Sequence, residues 1–375
     1  MTRVCLGDVA REIKQKAPAG QELPTVGLEH LDPGEIELDR WDESAETTFT
    51  KAFSKGQVLF GRRRAYLRKA AVTPFDGICS GDITVIAAKS NLSPRLLPFI
   101  IQNDALFEYA VTNSAGSLSP RVKWQSLSQF EFELPGIGKQ EELADILWAA
   151  QETRSHYRQL IATCDDVVKS QFVEMFGDPS VNNGHWPVSR LDGFAQIITG
   201  NTPSRKRPEY YGEGTEWIKT DNIVDSVVTT AAEQLTIAGR EKARIAPEGS
   251  ILMACIAGSV SSIGKVGLLD REVAFNQQIN AIVPSDKVDA RFLLAMLSMS
   301  KAYLCSNVNQ QLKGILNKSA LSAKQFPVPP LELQQEFADF AASVDKSKFA
   351  VQKALDELNA TTKQILNQEL GLGDV

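Results

Sequence analysis

Phe132-Glu133-Leu134-Pro135-Gly136-Ile137-Gly138-Lys139-Gln140-Glu141-Glu142-Leu143 decides the fold, because the chain writes it again. The second copy is Phe326-Pro327-Val328-Pro329-Pro330-Leu331-Glu332-Leu333-Gln334-Gln335-Glu336-Phe337, offset by 194 residues. Under that offset Leu127-Ser128 falls on Leu321-Ser322, Pro135 on Pro329, Gln140 on Gln334, Glu142 on Glu336 and Gly177 on Gly371. Each copy ends a globular stretch with an apolar strand-like run and a proline, and then starts a long segment without breakers. The chain is therefore read as domain, helix, domain, helix.

Gln140–Phe176 contains neither Pro nor Gly and carries apolar residues at heptad spacing. Leu143, Ala150, Tyr157 and Cys164 lie seven apart, with Ile146, Leu160 and Val167 on the adjoining row and Leu147, Ile161 and Val168 widening the stripe. Phe337, Val344, Val351, Leu358 and Ile365, with Phe340 and Ala354, repeat the pattern. About 37 residues make a helix of roughly 55 Å. A stripe of that width needs a partner helix, and the other copy supplies one as an antiparallel coiled coil. Thr153, Ser347 and Thr361 interrupt the seam and suit a pair that also offers a face to other subunits. Antiparallel pairing would relate the two domains by a pseudo-two-fold axis. Two heads reading one face of B-DNA stand about 34 Å apart or slightly more, a distance such a helix can hold.

Composition bounds the class. The chain has 375 residues, 43% hydrophobic and 23% charged, enough for two cores of ordinary size. No apolar run approaches a membrane span and no charged-then-apolar leader follows Met1, so a cytoplasmic protein is expected. Cys5, Cys79, Cys164, Cys255 and Cys305 have no metal spacing and read as buried free thiols of a reducing compartment. His30, His156 and His185 are equally dispersed. The net charge of −6 is unevenly spread: −4 over 140–177 and −3 over 334–375, against 0 over 1–139 and +1 over 178–333. The acidity sits on the helices, and the globular parts remain free to segregate a basic face toward nucleic acid.

Both globular parts read as mainly β, which makes the class α+β. Gln57–Phe60, Ala70–Val72 and Asp82–Ala87 are strand-like in the first, and Pro94–Val111 helical. Trp217–Lys219, Ser250–Ala254, Lys265–Leu269 and Ile279–Val283 are strand-like in the second, and Arg291–Cys305 helical. The repeat extends faintly here, with Lys55–Leu59 resembling Glu248–Leu252 and Ser80–Ile86 resembling Asn276–Ile282.

The loops carry the chemistry. Arg62, Arg63, Arg64, Tyr66, Arg68 and Lys69 follow a strand, and Arg121 and Lys123 form a second basic loop. In the other domain Thr202, Ser204, Arg205, Lys206 and Arg207 lead to Tyr210-Tyr211 and then Trp217-Ile218-Lys219. Ser261 and Lys265 border a glycine-rich polar loop, and Gln311, Lys313 and Lys318 form an amide- and lysine-rich one. Arginine can bond a guanine edge in bidentate fashion or neutralise a phosphate, and Asn and Gln read adenine. A solvated basic turn would carry similar residues.

Enzyme signatures are missing. There is no GxxxxGK[ST] and no Asn/Asp-Pro-Pro-aromatic methyltransferase motif, and the Ser-rich Gly258–Gly264 lacks triad partners. Asp8, Glu12 and Lys14 crowd too closely for a nuclease carboxylate–lysine site.

The residues resemble the specificity (S) subunits of Type I restriction–modification enzymes. The match runs through Gly200-x-Thr202-Pro203-Ser204-Arg205, Tyr210-Tyr211-Gly212, Trp217-Ile218-Lys219, Gly249-Ser250-Ile251-Leu252, Ile263-Gly264-Lys265-Val266 and Phe275-Asn276-Gln277-Gln278-Ile279. Gly56-x-Val58-Leu59-Phe60-Gly61, Leu67-Arg68-Lys69 and Gly77-Ile78-Cys79-Ser80 resemble another recognition subtype. Pro135–Leu143, and again Pro330–Phe337, resembles the family's boundary between recognition domain and spacer. Glu216 and Asp221-Asn222 depart from the usual pattern.

The resemblance implies target-recognition domains at 1–139 and 178–333 and helical spacers at 140–177 and 334–375. It implies reading of a bipartite, asymmetric double-stranded DNA site, two docked methyltransferase subunits and added endonuclease subunits, in phage defence. It implies no catalysis and no cofactor in this chain. S-adenosylmethionine would belong to the methyltransferase, and ATP and Mg to the endonuclease. A methylation-only system without the nuclease, and a tandem β-domain scaffold for protein partners, remain alternatives.

Overall fold

The computed structural model describes residues 1–17, 23–43, 47–223, 226–228, 231, 233–256, 262–306 and 316–373. Two compact units result, one of Met1–Gln159 with Gln352–Val375 and one of Leu160–Val351. The division falls inside both long helices, so each unit takes half of each.

The first unit contains β1 (Thr2–Cys5), β2 (Ala10–Ile13), β3 (Thr25–Val26), β4 (Lys51–Phe53), β5 (Val58–Gly61), β6 (Ala70–Val72), β7 (Gly77–Cys79), β8 (Ile83–Ala88) and β9 (Glu131–Leu134). A four-stranded sheet runs β2-β8-β5-β6, antiparallel throughout. A small sheet runs β3-β7-β4, with β3 parallel and β4 antiparallel to β7. β1 pairs antiparallel with β9.

The second unit contains β10 (Val188–Arg190), β11 (Ala195–Thr199), β12 (Tyr211–Ile218), β13 (Gln234–Leu235), β14 (Ile245–Ala246), β15 (Ile251–Ala254), β16 (Val266–Leu268), β17 (Val273–Phe275), β18 (Ile279–Pro284) and β19 (Gln325–Pro327). Its large sheet runs β11-β18-β15-β16, again antiparallel. Its other sheet runs β13-β12-β17-β14, with β12 parallel and β14 antiparallel to β17. β10 pairs antiparallel with β19. Apart from the added β13, the two units build the same sheets in the same order.

The faint sequence repeat thus marks equivalent central strands, β5 with β15 and β8 with β18. Gly56 and Gly249 enter β5 and β15 two residues ahead at φ +82° and +78°, a turn that glycine alone takes without strain. The central strands are buried throughout because both faces of the sheet are covered. Alternation sends Val58, Phe60 and Ile86 to the helical side and Leu59, Ile83 and Val85 to the small sheet. In the second unit Ile251, Met253 and Ile282 face one way and Leu252, Ala254 and Ala281 the other.

The helical stretch expected at Pro94–Val111 is two helices, Leu97–Ile101 and Asp104–Thr112. Asn103 breaks it by accepting the Ala105 N–H at 2.9 Å while its amide donates to Asn367 at 2.8 Å. Arg291–Cys305 likewise divides into Ala290–Met299 and Lys301–Cys305 at Ser300.

The long helices are Ile137–Phe176 and Leu331–Glu369, each starting three residues before the spacer boundaries expected at 140 and 334. Gly138 is tolerated in the first turn, where the backbone N–H groups have no intrahelical partner to lose. Gly177 and Gly371 follow the helix ends at φ +79° and +59°, the left-handed conformation of a glycine C-cap. In the first unit Leu143, Ala144 and Leu147 share a core with Leu366 and Leu370, and Lys139 reaches Glu369 at 3.7 Å. In the second, Phe172 meets Phe337 edge-on at 5.3 Å, and Lys348 reaches Asp165 at 2.5 Å. In both, the early half of one helix packs on the late half of the other.

The heptad reading needs one correction: Ile146, Leu160 and Val167 are 50%, 46% and 42% exposed. The buried row is Leu143 and Leu147 at the start and Phe172 and Phe176 at the end. Among the described residues no helix is long and apolar enough to cross a membrane. The cysteines also depart from expectation: Cys79 and Cys255 are buried, with burial pushing each thiol up to about 12, whereas Cys5, Cys164 and Cys305 are half-buried.

Candidate nucleic-acid interface

In the first unit the basic loop leaves β5 and turns through a short 3-10 segment, Ala65–Leu67, capped at both ends by arginines in the left-handed region, Arg64 (φ 54°) and Arg68 (φ 52°). Strain of this kind persists where surrounding bonds fix it. The Arg64 N–H donates to the Pro120 carbonyl at 2.8 Å, and the Arg62 carbonyl accepts from Val122 at 3.0 Å. The two loops that the sequence keeps 56 residues apart are thus laced together, with Arg63 Nε donating to Ser119 Oγ at 2.7 Å.

Their centre is Asp82, which the sequence reading missed. Arg121 grips it in bidentate fashion at 2.7 and 3.1 Å, and Arg63 approaches to 3.5 Å. The Arg121 guanidinium bonded to it, with Arg63 and Arg62 nearby, holds its carboxyl below the usual carboxylate range. Three guanidinium groups around one carboxylate leave a net positive cluster. The other candidates disperse. Arg68 pairs with Asp104 at 2.5 Å, and Lys69 donates to the Leu28 carbonyl at 2.7 Å. Tyr66 is 55% exposed, and Arg64 and Lys123 are exposed, with no side-chain bond to either among the described residues.

The second unit builds its basic surface differently. Gly200 lies so close to β17 that a Cβ would stand 2.2 Å from the Asn276 carbonyl and 2.5 Å from that of Phe275. The Gly-x-Thr-Pro turn is therefore seated on the sheet, with Asn201 N–H bonded to the Phe275 carbonyl at 3.1 Å. Thr202 Oγ1 then bonds Gln277, and Tyr211 Oη donates to the Pro203 carbonyl at 2.6 Å.

Arg205 follows from this turn. Its guanidinium lies 4.2 Å from the Tyr211 ring centroid and 5.0 Å from that of Trp217, and it donates to Glu233 at 2.6 Å. Lys219 bonds the other Glu233 oxygen and stands 5.3 Å from Trp217. Lys219 and then Arg205 hold the Glu233 carboxyl below its usual range, and burial pushes the Tyr211 phenol up. No local pattern announces Glu233, which lies 14 residues from Lys219 and 28 from Arg205.

The remaining candidates lie apart from this cluster. Ser204 and Lys206 are exposed, and Arg207 pairs with Glu209 at 3.3 Å. Lys265 is half-buried between β15 and β16. Lys318 begins the Lys318–Ser322 helix and borders a depression lined by Asp192, Phe194 and Asp286. Ser261, Gln311 and Lys313 lie outside the described residues. Glu216, the departure noted above, binds Arg271 at 2.5 Å and the Ala231 N–H at 3.0 Å, an internal role. Among the described residues no cluster of His, Cys, Asp or Glu could hold a metal ion.

Residues 183–360 match the Type I restriction modification DNA specificity domain. Over that stretch the chain carries a domain of the Type I specificity-subunit family. The chain is 30% identical to the Type I restriction enzyme HindI specificity subunit of Haemophilus influenzae over 42% of this chain and 35% of the relative. It is 22% identical to the EcoDI specificity subunit of Escherichia coli over 63% of this chain and 49% of that one. These matches span less than half of each relative's length. Among solved structures, an S subunit of a Type I restriction–modification system from M. genitalium superposes with a TM-score of 0.59 at 11% identity, covering 100% of this chain and 96% of that one. A chain from a study of assembly and conformational transition in the type I system gives 0.54 at 20% identity, covering 100% and 98%. At such identities these two likenesses speak for the fold alone.

Proposed function

We propose that this chain is the DNA-recognition subunit of a Type I restriction–modification complex, with residues 1–139 and 178–333 each reading one half of a bipartite, asymmetric site. The observation that carries the reading is a duplicated frame with unlike surfaces. The same sheet order supports an Asp82-centred arginine cluster in one unit and a Glu233-centred Arg205–Lys219 cluster in the other. Repeated frames with diverged basic loops suit two half-sites of different sequence.

In this reading residues 140–177 and 334–375 are spacers that pair as an antiparallel coiled coil and fix the gap between half-sites. The interleaved packing of helix halves inside each unit supports the pairing. The exposed Ile146, Leu160 and Val167 support a face left for other subunits. Two methyltransferase subunits carrying S-adenosylmethionine dock there; endonuclease subunits using ATP and Mg join the complex in a restricting system and are lacking in a methylation-only one. The chain itself does no chemistry and works in the cytoplasm.

Methylome sequencing of a host carrying this chain with its methyltransferase tests the reading. A bipartite methylated motif is expected, and exchanging residues 1–139 for those of another subunit should change one half of it. A change in both halves, or in neither, would refute the modular assignment.

A further inference from the structure

Arginines that only neutralise phosphate gain little from a fixed plane, because a point charge suffices for that task. Arg205 is nevertheless fixed on three sides: by the Tyr211 face, by Trp217 and by the Glu233 carboxylate. Its supports are themselves fixed by the loop that carries it. Tyr211 Oη donates to the Pro203 carbonyl, and Trp217 Nε1 to the Asn201 carbonyl at 3.3 Å. Glu233 is shared with Lys219, one oxygen to each cation. Yet the Arg205 side chain stays 54% exposed, so its remaining N–H groups face outward.

A carboxylate on a DNA-facing surface repels phosphate and weakens binding. Its presence is explained if orientation matters more than attraction. A guanidinium held flat by stacking and turned by a carboxylate presents its fork along one direction, the requirement for bidentate pairing with guanine O6 and N7.

Resting on the recognition reading above, we propose that Glu233 is a specificity-determining positioning residue: it aims Arg205 at a guanine in the half-site of the second domain and withholds Arg205 and Lys219 from non-specific phosphate contact.

The test uses the full chain with its methyltransferase and compares wild type, Glu233→Gln and Arg205→Lys. Methylomes supply the motif, and duplexes carrying it, or carrying one substituted base, supply the affinities over a salt series. Glu233→Gln should lower discrimination at one guanine of a single half-site about tenfold or more. The same variant should steepen the dependence of log affinity on log salt by about one, since a cation is released to phosphate. Arg205→Lys, which keeps the charge and loses the fork, should lose discrimination at that same base without the steeper slope. Both variants should stay folded, Glu233→Gln giving up no more stability than one partly exposed ion pair supplies.

An unchanged motif in both variants overturns the proposal and leaves the recognition reading standing. Loss across both half-sites with a lowered melting temperature assigns Glu233 a merely structural role and also overturns it. Absence of any sequence-dependent binding by the wild type removes the recognition reading, and the proposal falls with it.

Discussion

The Nε2 amide of Gln334 donates to the carbonyl of Pro329 at 2.7 Å, and its Oε1 accepts the Asp289 N–H at 2.9 Å. Gln140 does the same in the first unit, donating to Pro135 at 2.9 Å and accepting from Ser93 at 2.8 Å. Both side chains are buried, Gln334 fully and Gln140 to within 1%. The Pro-to-Gln spacing shared by the two copies is therefore a staple. It ties the start of each long helix to the loop entering the preceding helical stretch.

Replacing Gln334 with Leu would strand the Asp289 N–H and the carbonyls of Pro329 and Lys287 without their partner. A loss of about 1–3 kcal/mol is expected for a buried group left unsatisfied. Chemical denaturation of Gln334→Leu and Gln140→Leu measures it. A loss below 0.5 kcal/mol in both, roughly the scale of a neutral surface change, would mean that the staple is incidental.

Phe172, Phe176, Phe292 and Phe337 form one buried aromatic knot in the second unit, with ring centroids 5.0 to 5.8 Å apart. It joins both long helices to the Ala290–Met299 helix. Phe337→Ala removes the ring that meets both Phe172 and Phe176 and leaves a cavity, for an expected cost of about 3–5 kcal/mol. Phe349, on the same helix but 72% exposed, is the control and should cost little when changed to Ala. Thermal unfolding of the two variants should differ widely.

Legibility in the sequence followed the range of the interactions. The long helices and the strands β5, β6, β8, β15, β16 and β18 are announced by local apolar runs between turn residues, and their positions are close to those read. β1, β3, β4 and β14 are short and gain their identity only from partners far along the chain, as Thr2 does from Leu134. The outward face of Ile146, Leu160 and Val167 escaped a heptad count because spacing gives a stripe but not which edge of it meets the partner. The arginines and aromatics of the loops were visible as residue types. The carboxylates that organise them, Asp82 and Glu233, were not, because 39 residues separate Asp82 from Arg121 and 28 separate Glu233 from Arg205.

Asp82 gives the first cluster a pH signature. Its folded pKa lies below the ordinary 3.8 because Arg121 bonds the ionised form. The contribution to stability is then complete above pH 3.8, begins to be lost below it and is gone once the pH falls beneath the lowered folded value. Asp82→Asn should be less stable than wild type at neutral pH, and the gap should close on acidification. Urea unfolding of both proteins over a pH series measures this, and a gap independent of pH would show that the ion pair contributes nothing.

Gly200→Ala places a methyl group 2.2 Å from the Asn276 carbonyl oxygen, a backbone atom that cannot swing aside. The turn must lift from β17, at a cost of about 1–3 kcal/mol for an overpacked site. The loosened turn carries Arg205, so under the proposed reading the methylated motif should degrade in the half assigned to the second domain while the other half persists. Gly56→Ala offers a contrast, since nothing lies within 4 Å of its Cβ and only the left-handed φ is penalised. Equal motif loss in both variants would show that Gly200 acts through global stability rather than through the turn.

Arg64 and Arg121 separate attraction from architecture within one loop pair. Arg121 is spent on Asp82, whereas the Arg64 side chain is exposed and bonds no other among the described residues. Arg64→Gln should leave the melting temperature near that of wild type, weaken DNA binding across sequences and lower the salt slope by about one. Arg121→Gln should destabilise the protein, because it leaves Asp82 with Arg63 as its remaining close cation at 3.5 Å. Melting curves and salt-dependent affinities for the two variants decide the matter. If Arg64→Gln leaves DNA affinity and its salt dependence unchanged, the first basic cluster does not face the DNA backbone.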